Sequence, residues 1–160
     1  MNDHGKVGVI GVGAIGSCFV RRILAHNLKA VAYDTNVTAL KSLVGANVEI
    51  AKNAADLASK CNVIVTCVTD PAAVEAAVLG PGGVIEALQP NTLVLETTTS
   101  TPTVTRKLAT RLATYGAEIV DAPVSRGVPA AENGTLSIML GGEQSAVDRA
   151  VPILKMFGTD

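Results

Sequence analysis

The stretch KVGVIGVGAIG, residues 6–16, decides the fold of this chain. Its first half, Lys6–Ile10, is a short apolar run that ends in glycine, which is typical of a strand buried on both faces of a parallel sheet. From Ala14 to Asn27 the apolar residues recur instead at helical spacing, with basic residues on the other side. The sequence therefore predicts a strand, a tight glycine turn and an amphipathic helix in immediate succession.

The same alternation of apolar strand and amphipathic helix continues along the 160 residues. Strands are predicted at residues 6–10, 30–33, 48–50, 62–68, 92–96, 117–120 and 135–140. Helices are predicted at residues 14–27 and 36–44, after Asn53, Asp70-Pro71 and Thr101-Pro102, as a turn at 84–88, and after Gly141-Gly142. Right-handed crossovers place the helices on both faces of such a sheet. We expect one α/β domain over residues 1–160, with a Rossmann-type doubly wound, mostly parallel sheet.

Periodicity also predicts which helical side chains face the core. The inner face of the second helix is expected to carry Val37, Leu40 and Leu43, and that of the last helix Val147, Val151 and Leu154.

Composition excludes several functional classes. Hydrophobic residues make up 48% of the chain, charged residues 17%, and the formal net charge is −1. Nothing in this balance indicates disorder, a nucleic-acid partner or an anionic membrane. No apolar run is long enough to span a bilayer, and no signal peptide is evident at the N-terminus.

The cysteines and histidines do not form a metal-ligand pattern. Cys18, Cys61 and Cys67 have no CxxC spacing, and His4 and His26 lie far apart in sequence. Three unpaired cysteines within predicted strands and helices indicate buried thiols in a reducing compartment. We therefore expect a cytoplasmic protein without a metal site.

The glycine turn is a candidate dinucleotide-binding motif. Within Gly11-Val12-Gly13-Ala14-Ile15-Gly16, the first glycine permits the tight turn, the second lets a pyrophosphate approach the backbone, and the third lets the helix pack close to the strand. The helix N-terminus then offers N–H groups to the pyrophosphate.

An acidic residue at the end of the second strand completes the motif. Asp34 follows Gly16 by 18 residues, close to the spacing at which a carboxylate binds the adenosine ribose. Thr35 and Asn36 come next, and neither offers a positive charge to a 2′-phosphate. The pattern favours NAD over NADP as the cofactor.

Four further segments carry a specific family resemblance: TCVTD at 66–70, ETTTSTP at 96–102, DAPVS at 121–125, and GTL with MLGG at 134–136 and 139–142. With the glycine turn, they resemble the N-terminal domain of the β-hydroxyacid dehydrogenases. This family includes 3-hydroxyisobutyrate dehydrogenase, tartronate semialdehyde reductase and 6-phosphogluconate dehydrogenase.

The resemblance implies an NAD-dependent oxidoreductase that acts on a small hydroxyacid. It implies cofactor contacts from Thr99 and from the segment after the fourth strand, namely Cys67, Val68, Thr69 and Val74. It also implies that Ser125 and the two residues after it hold the substrate carboxylate. In the family those two residues are glycines, whereas here they are Arg126 and Gly127. Arg126 either contacts an anionic group of the substrate or points into solvent.

The family's general acid/base is a lysine in a Lys-x-x-x-Asn motif beyond this domain. Lys155 lacks the Asn at that spacing, so we expect it on the solvated face of the last helix, with no catalytic residue among the 160. The resemblance implies that a helical C-terminal domain, absent from this chain, completes the substrate pocket. It also implies that the parent protein forms a homo-oligomer through that domain.

Other interpretations are weaker but distinct. An NADP-dependent relative such as an imine reductase, or a non-catalytic NAD-binding module, would share the same motif. A hydrolase triad of Ser125, His26 and Asp121 lacks the GxSxG nucleophile elbow, and His26 falls on the polar side of the first helix.

Overall fold

The computed structural model describes residues 5–159 as an α/β domain built around one parallel sheet. Its six strands are β1 Lys6–Ile10, β2 Lys29–Tyr33, β3 Val48–Ile50, β4 Val63–Thr66, β5 Leu93–Glu96 and β6 Glu118–Asp121. They lie in the order β3-β2-β1-β4-β5-β6, and every neighbouring pair is parallel. The chain reverses its direction of travel across the sheet between β1 and β4. The predicted doubly wound α/β fold is confirmed.

Helices connect the strands. They are α1 Ala14–Ala25, α2 Val37–Leu40, α3 Ala54–Ala58, α4 Pro71–Leu79, α5 Pro102–Ala113, α6 Gly127–Asn133 and α7 Gln144–Leu154, with 3-10 turns at Lys41–Leu43 and Val84–Glu86. Side chains cap three of them as the sequence predicts: Asn53 for α3, Asp70 for α4 and Thr101 for α5.

Two cores lie on opposite faces of the sheet, because alternate strand residues point to opposite sides. Phe19 of α1 and Phe157 pack on one face with ring centroids 4.4 Å apart, next to the buried end of α7. Leu57 of α3, Val78 of α4 and Leu108 of α5 fill the other face. Both faces are covered, which explains why β1, β4 and β5 read as continuous apolar runs.

The predicted strand at residues 135–140 is much shorter in the structure. Only β8 Ser137–Ile138 forms there, and it pairs antiparallel with β7 Val124–Ser125 outside the main sheet. An isolated bridge between Asp121 and Gly141 ties the end of this segment to β6. Apolar character in this segment reflects burial of Leu136, which is fully enclosed, and not a long ladder.

Helix α6 was not predicted, because Pro129 and two flanking glycines resemble a loop. Pro129 stands in the first turn, where its missing N–H costs no hydrogen bond, and Gly134 ends the helix at φ +69°. Buried Ala130 and Ala131 hold it in the core with α1.

Two predicted inner faces are wrong in part. Val37 is 70% exposed, because α2 is a single turn that passes into a 3-10 turn at Lys41. On α7 the buried residues are Ala146, Ala150, Ile153 and Leu154, while Val147 and Val151 lie at the margin. Alanines take the inner positions because the helix approaches the sheet closely there.

Candidate functional site: a cleft at the carboxyl ends of the strands

The cleft has a volume of about 790 Å³ and opens where β1, β2 and β4 end. This is the topological switch point of the sheet, where open α/β proteins bind their ligands. The walls include most of the predicted cofactor residues: Gly11, Gly13, Ala14, Ile15, Gly16, Asp34, Thr35, Cys67, Val68 and Thr69. The fold therefore brings together segments that lie up to 58 residues apart in sequence.

Close packing at the turn explains two of its three glycines. Gly11 adopts φ +89°, and a Cβ there would lie 2.1 Å from the carbonyl oxygen of Cys67. A Cβ on Gly16 would lie 1.8 Å from the carbonyl oxygen of Gly11. Both distances are impossible for a real side chain, so α1 can start this close to β1 and β4 only with glycine at both positions.

Gly13 has a different role, because a Cβ there would meet nothing within 4 Å. It is exposed, lines the cleft and precedes α1, which no side chain caps. The first turn of α1 therefore keeps its N–H groups for an external acceptor, and the open space above Gly13 gives that acceptor access. This turn fits a pyrophosphate.

Asp34 stands at the end of β2 on the cleft wall, half-buried. The backbone N–H of Val12 donates to its Oδ2 at 2.8 Å, and that of Asn36 donates to its Oδ1 at 2.7 Å. These two bonds fix the carboxylate against the glycine turn. Each oxygen keeps a lone pair for a further donor, such as a ribose hydroxyl.

Three predicted cofactor residues do not line the cleft. Val12 and Val74 are buried, and Val74 packs in the core with Ile10. Thr99 is exposed in the segment after β5, outside the cleft wall.

The sequence analysis missed a second wall of small residues. Ala73, Ala76 and Ala77 of α4 and the turn Pro81-Gly82-Gly83 face the cleft, together with Tyr33 and Ala39 on the opposite side. Their i, i+3, i+4 spacing on α4 is a helical face, so periodicity alone could have found the alanines. Small apolar side chains therefore line the slot of the cleft between β2 and α4.

The predicted substrate segment lies apart from this cleft, at the β7–α6 junction. Ser125, Arg126 and Gly127 are all exposed, and none lines the cleft. Arg126 adopts φ +87°, a left-handed conformation that costs a non-glycine residue roughly 1–2 kcal/mol. Its Nη1 donates to the carbonyl oxygen of Thr135 at 3.2 Å, which ties the guanidinium to the loop before β8.

A buried carboxyl lies at the end of β5, in register with the end of β4. Glu96 is fully enclosed, with Thr66 Oγ1 donating to its Oε2 at 2.9 Å and the N–H of Thr98 donating to its Oε1 at 2.7 Å. Burial raises the pKa of this carboxyl to about 7 against those hydrogen bonds, and the Asp121 charge adds to the increase. No ion pair among residues 5–159 includes Glu96.

The residues of the hydrolase triad considered above do not come together, and two of the cysteine thiols are not reactive. His26 is exposed on α1 with its Nδ1 2.8 Å from the carbonyl oxygen of Arg22, and within residues 5–159 it makes no hydrogen bond to Ser125 or Asp121. Burial raises the pKa of Cys61 to about 12 and that of Cys67 to about 11, so both are neutral thiols.

Residues 5–159 contain neither a metal-ligand cluster nor a membrane-spanning helix. No group of three or more metal-ligating side chains occurs in this part of the chain, and His4 lies outside it. None of its helices is both long and apolar enough to cross a bilayer. Lys155 is exposed at the end of α7, as expected.

Comparison with known proteins identifies a family for almost the whole chain. Residues 6–160 match the model described as the NAD binding domain of 6-phosphogluconate dehydrogenase. The chain is 32% identical to 2-(hydroxymethyl)glutarate dehydrogenase of Eubacterium barkeri, covering 97% of this chain and 52% of that protein. It is 30% identical to bovine mitochondrial 3-hydroxyisobutyrate dehydrogenase, covering 100% and 48%. The chain thus spans about half the length of these relatives.

Solved structures agree. The structure of Mycobacterium tuberculosis 3-hydroxyisobutyrate dehydrogenase with L-serine matches with a TM-score of 0.90 and 25% identity, over 96% of this chain and 52% of that one. Psf3 in complex with NADP+ and 2-OPP matches with a TM-score of 0.89 and 27% identity, over 95% and 54%.

Proposed function

Because the chain belongs to the family of the NAD binding domain of 6-phosphogluconate dehydrogenase, we propose that its parent protein transfers hydride between NAD and a small β-hydroxyacid. The substrate would resemble 3-hydroxyisobutyrate or 2-hydroxy-3-oxopropionate, as the relatives' names suggest. The chain is a dinucleotide-binding domain of dehydrogenases of this type, and it supplies the cofactor site.

One observation carries the proposal: the glycine turn, the uncapped start of α1 and the Asp34 carboxylate meet in one cleft. The first turn of α1 would bind the pyrophosphate through backbone N–H groups, with Gly13 leaving room for it. Asp34 would accept hydrogen bonds from the adenosine ribose, and the slot between Tyr33 and the α4 alanines would take the adenine. When bound, the nicotinamide ring supplies the hydride acceptor.

The choice of NAD over NADP rests on Asp34. Its carboxylate is held in place by the N–H groups of Val12 and Asn36, so it cannot swing away from a 2′-phosphate. Thr35 and Asn36 add no positive charge to offset the repulsion. The alternative, an NADP-dependent protein, is favoured by the likeness to Psf3 in complex with NADP+.

The direct test is hydride transfer by the full-length protein. We expect NAD reduction, followed at the absorbance of NADH, with 3-hydroxyisobutyrate, glycerate or a related β-hydroxyacid. Binding of NAD without turnover of any acid in the panel would instead favour the second candidate, a non-catalytic NAD-binding module.

For the substrate, we propose that Ser125, Arg126 and Gly127 contact the acid. These exposed residues follow β6, on the side of the sheet where the nicotinamide half of the cofactor would lie. A guanidinium at this position would favour a substrate with a second anionic group. A charge-assisted hydrogen bond of this type is worth about 1.5–3 kcal/mol, or roughly one to two decades in kcat/KM.

A substrate panel with the full-length enzyme tests this role of Arg126. Arg126→Gly should lower kcat/KM for dicarboxylates and phosphorylated acids more than for monocarboxylates, and Arg126→Lys should restore part of the difference. If Arg126→Gly changes all acids equally, the side chain serves the loop through Thr135 and not the substrate.

The remaining features of the parent protein are also proposals. Relatives about twice as long contain a second half, to which we assign the general acid/base lysine and the homo-oligomer interface. Three free cysteines fit a reducing compartment, and we propose the cytoplasm.

A further inference from the structure

A buried carboxyl without a positive partner is costly, so Glu96 needs a physical explanation. It is the last residue of β5 and lies in register with Thr66 on β4 and Asp121 on β6. These three positions form a row across the carboxyl ends of adjacent strands. The proposed reaction uses none of them.

Glu96 is connected to the cleft wall through one neighbour. The N–H of Thr98 donates to the Glu96 carboxyl, and the hydroxyl of Thr98 accepts from the N–H of Val68 at 3.0 Å. Val68 lines the cleft in the segment after β4. A carboxyl at position 96 therefore fixes the β5–α5 segment, and that segment in turn fixes the β4–α4 segment.

The strand order indicates which part of the cofactor would lie next to the segment after β4. In a doubly wound sheet each half binds one nucleotide, and Asp34 on β2 marks the adenosine half. The half of the sheet formed by β4, β5 and β6 would therefore bind the nicotinamide nucleotide. The oxidised nicotinamide ring carries a positive charge, whereas the reduced ring is neutral, so a negative charge in the same half of the sheet interacts differently with the two forms.

We propose that Glu96 is a positioning residue of the cofactor cleft, and that its carboxylate favours the oxidised over the reduced nicotinamide. The inference rests on the proposed function, because it requires a nicotinamide cofactor in this cleft. The groups that act on the Glu96 carboxyl are Thr66 on β4, Thr98 after β5 and Asp121 on β6; Cys67 also interacts with it, and its pKa is raised by burial to about 11.

The charge state of Glu96 then makes the preference depend on pH. Burial raises the pKa of its carboxyl to about 7, so the group is largely neutral at pH 6 and largely ionised at pH 8. We expect the ratio of NADH Kd to NAD Kd to rise about fivefold across this interval, the order of effect of a partly screened unit charge.

Calorimetric titration of the 160-residue chain with NAD, NADH and ADP-ribose, from pH 5.5 to 8.5, tests the inference. The rise in the ratio of NADH Kd to NAD Kd between pH 6 and pH 8 is called the step below. ADP-ribose lacks the nicotinamide, so its Kd should show no corresponding change with pH. Glu96→Gln should remove the step from the Kd ratio, and Glu96→Asp should keep it. Glu75→Gln removes the same charge from the exposed side of α4, where Glu75 pairs with Lys107, and should leave the ratio unchanged.

Asp121→Asn gives a second measurement that leaves Glu96 in place. Removing the neighbouring charge should move the midpoint of the step to lower pH, because that charge raises the pKa of Glu96. A wild-type ratio that stays flat with pH, a step that persists in Glu96→Gln, or an unmoved midpoint in Asp121→Asn would each overturn the inference. If ADP-ribose and both dinucleotides fail to bind, the proposed function itself is wrong, and this inference falls with it.

Discussion

Single residues set the chemistry of the cleft, and Asp34 is the clearest case. Its two backbone hydrogen bonds hold a negative charge beside the glycine turn. Bringing a 2′-phosphate to this position places like charges together at a partly buried site, which costs on the order of a few kcal/mol.

The first prediction concerns cofactor choice. Calorimetry on the 160-residue chain should show NAD binding and at least a hundredfold weaker NADP binding, as roughly 3 kcal/mol of repulsion implies. Asp34→Ala should reduce the difference between the NADP Kd and the NAD Kd, mainly by improving NADP binding. Equal affinities in the wild type, or an unchanged ratio in Asp34→Ala, would remove the assignment to NAD.

A second residue-scale prediction follows from the buried Glu96. Its pKa is raised in the folded protein to about 7 from 4.5, so the native state binds this proton more tightly than the unfolded chain. The stabilisation is complete below pH 4.5 and is lost as the pH rises to 7, amounting to about 3 kcal/mol. Glu96→Gln cannot ionise and should escape this loss.

Urea denaturation at pH 5 and pH 8 measures the effect. The unfolding free energy of Glu96→Gln relative to wild type should be about 2–3 kcal/mol more favourable at pH 8 than at pH 5. Glu75→Gln on the surface should show no such difference. A gap between Glu96→Gln and wild type that does not change with pH would mean that the pKa of Glu96 is not raised in the folded protein.

At the scale of one element, α1 begins with two glycines whose requirements differ. Gly16 is packed against the backbone of Gly11, whereas Gly13 faces open space in the cleft. The motif assigns pyrophosphate access to Gly13 and close helix packing to Gly16, so we expect only Gly16 to be needed for folding.

Matched alanine variants should separate these requirements. Gly16→Ala forces the start of α1 away from β1 and should lower the unfolding free energy by about 3 kcal/mol or more. Gly13→Ala should fold with stability within about 1 kcal/mol of wild type, since its φ of −66° suits alanine. It should nevertheless weaken NAD binding at least tenfold, because the new methyl occupies the path of the pyrophosphate.

Thermal or urea melts and calorimetric titration of both variants give the comparison. Full NAD affinity in Gly13→Ala would show that the pyrophosphate lies elsewhere. Normal stability in Gly16→Ala would show that α1 is not held where the structure has it.

For the whole molecule, we expect the residues that bind the cofactor and the residue that transfers the proton to lie in different halves of the parent protein. The described residues 5–159 place no lysine on the cleft wall, and Lys155 is exposed at the end of α7. A general acid/base contributes typically 10²–10⁴-fold to a rate, and substrate orientation contributes more.

The last prediction is that the 160-residue chain binds the cofactor without turnover. NAD at about 100 times its Kd should stabilise the fold by roughly 2.7 kcal/mol, seen as a rise in Tm. The same sample should show no NADH formation with 3-hydroxyisobutyrate or glycerate. Measurable turnover would place the acid/base within these residues, and Lys155→Ala would then be the variant to test.

The sheet and its dinucleotide-binding turn follow from local sequence patterns. Strand β1, the glycine turn and α1 are contiguous, and each depends on local rules of periodicity and backbone conformation. The caps at Asn53, Asp70 and Thr101 are local for the same reason. Family-specific motifs added the segment after β4, which the structure brings to the cleft.

Features that depend on residues distant in sequence become visible only in the folded protein. Val74 is in the core, because α4 turns its alanines and not its valines toward the cleft. Helix α6 forms because Ala130 and Ala131 pack in the core with α1, against the local preference of Pro129 and its glycines. The pKa of Glu96 is raised because β4 and β6 enclose it, and no local pattern records that burial.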